Sequence, residues 1–215
     1  MEVASPFLDF ETLLYRVAAF VLVVTLHDFM QGALALAFGD RTAKEQGRVT
    51  LNPAAHLDFL GLAMILFGPY GWGRPVPVTP ANFRKSPRLS TWLVYGMGPI
   101  LYFLLGLLFW WLYFAVPFEE SGPATWAVLL LKETLHYCFI VSILLCILNL
   151  LPLYPMDAAK AILVTAGKPA EERKGAFAWG SFFLLTVMLV TPLGQHYLEA
   201  IFRLFSQWIM HSYAI

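Results

Sequence analysis

His27 and Asp28 stand side by side inside an apolar stretch, and Gln31 follows one helical turn later. An imidazole beside a carboxylate can relay a proton, hold a metal ion or activate a water. The chain around them is apolar from Leu13 to Phe38, long enough to cross a bilayer. Ionisable groups at such depth are costly and mark function by default. The plainer alternative is a buried pair held by hydrogen bonds. A second acid, Asp157, follows Asn149-Leu150-Leu151-Pro152 near the end of another apolar run. Its plainer role is to cap a helix beginning near Ala158. Lys132, Glu133 and His136 look like a third cluster. They lie more than about 20 Å of helix from the Asp157 turn and are not expected to join it. His196 and His211 fall on the tail and read as interface residues. Cys138 and Cys146 are about 12 Å apart along one helix, too far for a disulfide, and read as small packing residues.

The elements that must position these groups are apolar spans. The 215 residues are 59% hydrophobic and only 13% charged, against roughly 25% charged in an ordinary soluble domain. Formal net charge is +0, so no global field draws nucleic acid. The expected fold is all-α and polytopic, one membrane domain over residues 1–215. It has about four transmembrane helices, a re-entrant cytoplasmic segment and an amphipathic C-terminal helix. The spans are read as Leu13–Phe38, Thr91–Val116, Trp126–Leu151 and Ala176–Val190, with C-terminal helices over 176–213. The first run is too long for a cleaved leader and lacks its flanks. Phe109-Trp110-Trp111 and Tyr113 read as an aromatic belt. Gly96, Gly98 and Gly106 suit close helix packing.

Charge orients this layout. Loops 40–56 and 71–90 are basic, and loop 117–125 is acidic. If Phe59–Tyr70 crossed the membrane, the two basic loops would face opposite sides. The segment is therefore expected to dip in and return, with both loops cytoplasmic. His27 and Asp157 then approach the same side and share one cavity. Irregular backbone at Pro152–Pro155 is tolerated at depth only where it lines such a cavity or is buried in protein.

A helical H-E-x-x-H motif places two imidazoles on one face to hold zinc, with glutamate as general base. Here that frame reads His27-Asp28-Phe29-Met30-Gln31. Further segments follow in order: Gly39-Asp40-Arg41-Thr42-Ala43-Lys44, then Gly47-Arg48-Val49-Thr50-Leu51-Asn52-Pro53, then His56, Asp58 and Gly61. Gly71-Trp72, Pro75-Val76-Pro77-Val78, Asn82-Phe83-Arg84, Gly98-Pro99 and Asn149-Leu150-Leu151-Pro152 with Pro155-Met156-Asp157 complete the series. Over residues 12–166 the chain closely resembles the compact bacterial branch of the site-2 protease family, intramembrane zinc metalloproteases. The resemblance implies zinc ligands at His27, at residue 31 and at Asp157, and the general base at residue 28.

The departures fall on the chemistry. Gln31 replaces the second histidine and Asp28 the glutamate. Tyr102 stands for an asparagine, Tyr154 for a proline, and Ala158 for the glycine of the family's L-D-G. A neutral amide is a weak zinc donor beside imidazole. Aspartate is one methylene short, and a displacement of about 1 Å at a catalytic group can cost on the order of 100-fold. Adjacent helix residues point about 100° apart, so Asp28 is not expected to replace the missing ligand. Gln31 is expected to bond Asp28, Asp157 or a water, with Tyr102, Asn149, Pro152 and Tyr154 around the cavity. His56 and Asp58 are read as organising their loop.

These readings predict a pseudoprotease of the bacterial cytoplasmic membrane. Its site faces the cytoplasm, its partners are transmembrane segments and lipid, and zinc binds weakly or not at all. One alternative is an active zinc metalloendopeptidase using His27, Gln31 and Asp157 as ligands and Asp28 as base. The other is a small proton-coupled transporter built on the His27-Asp28 pair, although no inverted repeat is visible.

Overall fold

A computed structural model describes residues 10–66, 71–117, 125–165, 176–194, 196, 197 and 200. It is helical: α1 Phe10–Ala37, α2 Thr42–Glu45, α3 Phe59–Ala63, α4 Pro87–Ala115, α5 Thr125–Leu150, α6 Asp157–Thr165 and α7 Ala176–Val190. Three of these, α1, α4 and α5, are long and apolar enough to cross a membrane. The protein is a polytopic all-α membrane protein. α7 covers the fourth expected span with 15 residues, about 22 Å of rise. The expected C-terminal amphipathic helix over 195–213 lies almost wholly outside the described residues. α4 begins four residues before the expected Thr91, because Ser86 caps it and Pro87 starts it. Proline at a first helical position gives up an N–H that would be unpaired anyway.

α4 and α5 share the largest interface, and α1 packs against both. The core lies between the three, with Phe20 and Val23 of α1, Leu105 and Phe109 of α4, and Ile143 and Leu148 of α5. Gly106 lets α4 approach α5, since a Cβ there would come within 2.9 Å of Ile143 Cδ1. Gly96 has no such role; a Cβ there would meet nothing within 4 Å. The outward faces carry exposed Leu93, Ile100, Leu104, Leu108, Trp111 and Phe114. Such continuous apolar exposure suits lipid and would aggregate in water.

The polar loops form a layer across one end of this bundle. Asp40 ties them together: it accepts from Thr42 N at 3.0 Å, Thr79 N at 2.7 Å and Asn82 Nδ2 at 3.1 Å. Arg84 N donates to Phe38 O at 3.1 Å. The ends of α1 and α4 therefore lie at one level, and loops 40–56 and 71–90 share one side.

The segment between the loops leaves and returns at one place. Leu57 pairs antiparallel with Gly73, and Arg74 N donates to His56 O at 2.7 Å. Between them lie α3, which Asp58 caps by accepting from Gly61 N at 2.8 Å, and a 3₁₀ turn at Met64–Leu66. Gly61 and Gly71 allow the crossing, because a Cβ on Gly71 would lie 1.7 Å from Gly61 O. Buried Arg16 of α1 donates to Ile65 O and holds the turn against the bundle. This matches the expected re-entrant path, with residues 67–70 outside the described part.

Candidate functional site

His27, Asp28 and Gln31 fall on the buried side of α1. The chain gets from α5 to α6 through an irregular turn, and Asn149 governs that turn. Its Nδ2 donates to Leu145 O at 2.9 Å, and its Oδ1 accepts from Asp157 N at 3.1 Å. Asp157 is thereby placed at the first residue of α6, facing α1 and α4. Gly98 makes room for it: a Cβ there would sit 1.9 Å from Asp157 Oδ2. The close packing expected of this glycine is seen, against Asp157 of α6 and against Gln31 Nε2 of α1, 3.0 Å from such a Cβ.

The four helices enclose a small cavity walled by His27, Gln31, Tyr102, Asn149, Asp157 and Lys160 among others. About 30 Å³ of it is free for the centres of water-sized molecules, room for a water or two. Tyr102 stacks on the His27 imidazole, with ring centroids 3.7 Å apart and planes 4° from parallel. Pro152 and Tyr154, expected on the wall, do not line the cavity; Pro155 and Met156 do. The turn points its later residues inward because Met156 N closes on Leu153 O at 2.8 Å.

Two buried carboxylates flank the imidazole. Asp28 Oδ1 lies 3.0 Å from His27 Nδ1. Asp28 Oδ2 faces His56 Nδ1 at 3.5 Å and Arg48 at 3.6 Å. It has no hydrogen bond among the described residues. On the other face, His27 Nε2 is 3.6 Å from Asp157 Oδ2 and also has no hydrogen bond. Asp157 Oδ2 accepts from Gln31 Nε2 at 2.8 Å, and Oδ1 accepts from Lys160 Nζ at 2.8 Å. Asp28 thus sits on the Nδ1 side of His27, away from Asp157.

Arg48 and Lys160 were not singled out from the sequence, and His56 was read only as a loop residue. His56 does hold its loop, with Nε2 2.8 Å from Thr50 O, but its other nitrogen faces Asp28. Arg48 donates to Arg74 O at 2.6 Å and Pro75 O at 3.2 Å. Burial pulls its guanidinium below the ordinary arginine value, Asp28 opposes that pull, and Arg74 adds to it. Arginine nonetheless keeps its charge. For Lys160 the sequence did hold a signal, because three residues after Asp157 on a helix is a neighbouring position. Lys132 and His136 instead face Tyr113, with Lys132 Nζ 4.9 Å from its ring centroid. Cys138 and Cys146 are free and buried.

No protein-family model matches the chain, and no solved structure matches it significantly. Over 204 residues it is 35% identical to the "Putative zinc metalloprotease YwhC" of Bacillus subtilis (strain 168), spanning 89% of this chain and 91% of that one. The chain belongs to the site-2 protease family. It is also 26% identical over 205 residues to the "Putative zinc metalloprotease Rip2" of Mycolicibacterium smegmatis (strain ATCC 700084 / mc(2)155), spanning 93% of this chain and 76% of that one.

Membership makes the donor set the decisive question. Catalytic zinc takes three protein ligands from histidine, carboxylate or thiolate, plus water. Among the described residues no three such groups converge. Of the three positions that the family uses for zinc, only His27 and Asp157 carry such groups, and Gln31 turns its amide nitrogen toward Asp157. Both Asp157 oxygens already accept hydrogen bonds, one of them from an ammonium. So arranged, these residues do not fit a zinc ion.

Proposed function

We propose that this site-2 protease family member is a pseudoprotease that binds transmembrane segments of other membrane proteins without cleaving them. The observation that supports it most is the state of Asp157, bonded at 2.8 Å to both Gln31 and Lys160. Asp28 supports it as well, because it is turned to His27 Nδ1, His56 and Arg48 rather than to the Nε2 face. The three long apolar helices support a place in the membrane beside such segments, and they surround the altered site. We place the protein in a bacterial cytoplasmic membrane with the site toward the cytoplasm. The shared side of the two basic loops supports that orientation, since basic loops stay inside. Cysteines introduced at Thr42 and Ser86 label from that same side; labelling from opposite sides contradicts it.

Two measurements test the function. Metal analysis of purified protein is expected to find far less than one zinc per chain. Single-span model peptides mixed with the protein in detergent are expected to co-purify intact. One tightly bound zinc per chain, lost on His27→Ala, would overturn the proposal, as would cleavage of the peptides. The second reading, an active zinc metalloendopeptidase with His27, Gln31 and Asp157 as ligands and Asp28 as base, draws on the names of both relatives. Those outcomes would establish it.

A further inference from the structure

Lys160 has a place in this cavity that the family comparison does not assign. Its Nζ lies 2.8 Å from Asp157 Oδ1. Its side chain is 9% exposed, so the charge is held inside. The ammonium also lies 5.4 Å from the centroid of the Tyr95 ring, a second attraction that resists withdrawal. The pairing is favoured by α6: residues three apart share a helix face, which brings ammonium and carboxylate within reach of one another.

The charge balance follows. Asp157 and Lys160 cancel one another. A divalent ion added beside them would leave a buried surplus of positive charge, which a low-dielectric site penalises heavily. Asp28 does not offset that surplus from across the imidazole, because Arg48 and His56 already face it.

We infer that Lys160 is the resident cation of this cavity, standing electrostatically where a metal ion would stand and opposing the entry of one. The inference rests on the non-hydrolytic reading above. It separates from the simpler view that Gln31 alone keeps zinc out. On that view Gln31→His, with His27 and Asp157, is sufficient. On ours it is not.

The test compares Gln31→His with Gln31→His/Lys160→Met and Gln31→His/Lys160→Arg, all as full-length protein in detergent. Zinc affinity is read by competition with a chromogenic chelator, and Co²⁺ absorption bands report tetrahedral coordination. The Met double variant is expected to bind zinc at least roughly tenfold more tightly than Gln31→His, since removing one like charge at short range is worth that much. The Arg double variant is expected to bind no better than Gln31→His, because it keeps the charge. A purely structural role for Lys160 predicts no such dependence on charge. Circular dichroism and gel filtration establish folding, and Lys160→Gln replaces Lys160→Met if the latter does not fold. Equal zinc affinity in Gln31→His and in a folded Gln31→His/Lys160→Met variant overturns the inference. Tight zinc in the unmodified protein is a different result: it overturns the non-hydrolytic reading, and this inference with it.

Discussion

The two carboxylates of the cavity are both buried, yet they are stabilised in opposite ways. Asp157 is fully engaged. Its backbone N–H is taken by Asn149, one oxygen by Lys160 and the other by Gln31. Asp28 has one oxygen against His27, while the other faces Arg48 and His56 at 3.6 and 3.5 Å without a hydrogen bond. The first is a junction between α1, α4, α5 and α6. The second is a charge facing Arg48 and His56, each of which is also bonded elsewhere, Arg48 to two carbonyls and His56 to Thr50. Stranding a buried ion by removing its bonded partner costs more than replacing a carboxylate oxygen that accepts no hydrogen bond. The difference therefore predicts that the α6 side carries stability and the α1 side tolerates change.

Thermal or denaturant unfolding in detergent micelles can break that comparison. Lys160→Ala is expected to cost about 3–5 kcal/mol, because it strands a buried carboxylate. A loss below about 1 kcal/mol would mean that Asp157 finds another partner, and the contrast would collapse. Gly98→Ala comes next, at about 1–3 kcal/mol, since its Cβ would push into a packed carboxylate. Asn149→Ala is expected to cost about 1–3 kcal/mol for the unpaired Asp157 amide. It should lower the stability of the α5–α6 turn more than that of the loop layer, and hydrogen exchange along the chain can read this. The smallest effect is expected from Asp28→Asn, within about 1 kcal/mol, because the amide oxygen still accepts from His27 and the oxygen that is replaced accepts no hydrogen bond among the described residues. If Asp28→Asn unfolds the protein while Lys160→Ala does not, the two carboxylates have been assigned the wrong way round.

The contrast also explains which site residues could be read early. His27, Asp28, Gln31 and Asp157 were legible because an ionisable or amide group inside an apolar run is conspicuous. Arg48 and His56 sit in polar loops, where such residues are ordinary, and nothing local marks the two that turn inward. Tyr102 was noticed as a departure, but not that its ring would lie flat on His27 at 3.7 Å. Rotamers of that kind follow from packing between helices, which has no signature in spacing. Pro152 and Tyr154 were misplaced for the same reason: the turn after α5 is irregular, and its inward residues, Pro155 and Met156, follow from hydrogen bonds rather than a period.

The sequence by itself determined the three long spans, because runs of apolar residues of bilayer length have few alternatives. It determined that the two basic loops share a side, through charge, and that the segment between them returns, through its length and glycines. It also located the positions where family chemistry has been replaced. Tertiary structure alone decided how the replaced groups are satisfied. Gln31 reaches Asp157 across 126 residues of chain, Gly98 clears the space for that carboxylate, and Arg48 and His56 close over Asp28 from the loop layer. Each depends on the distance between elements that are remote in sequence. Buried charge tolerates so few arrangements of partners that those distances, rather than residue types, settle what the cavity can hold.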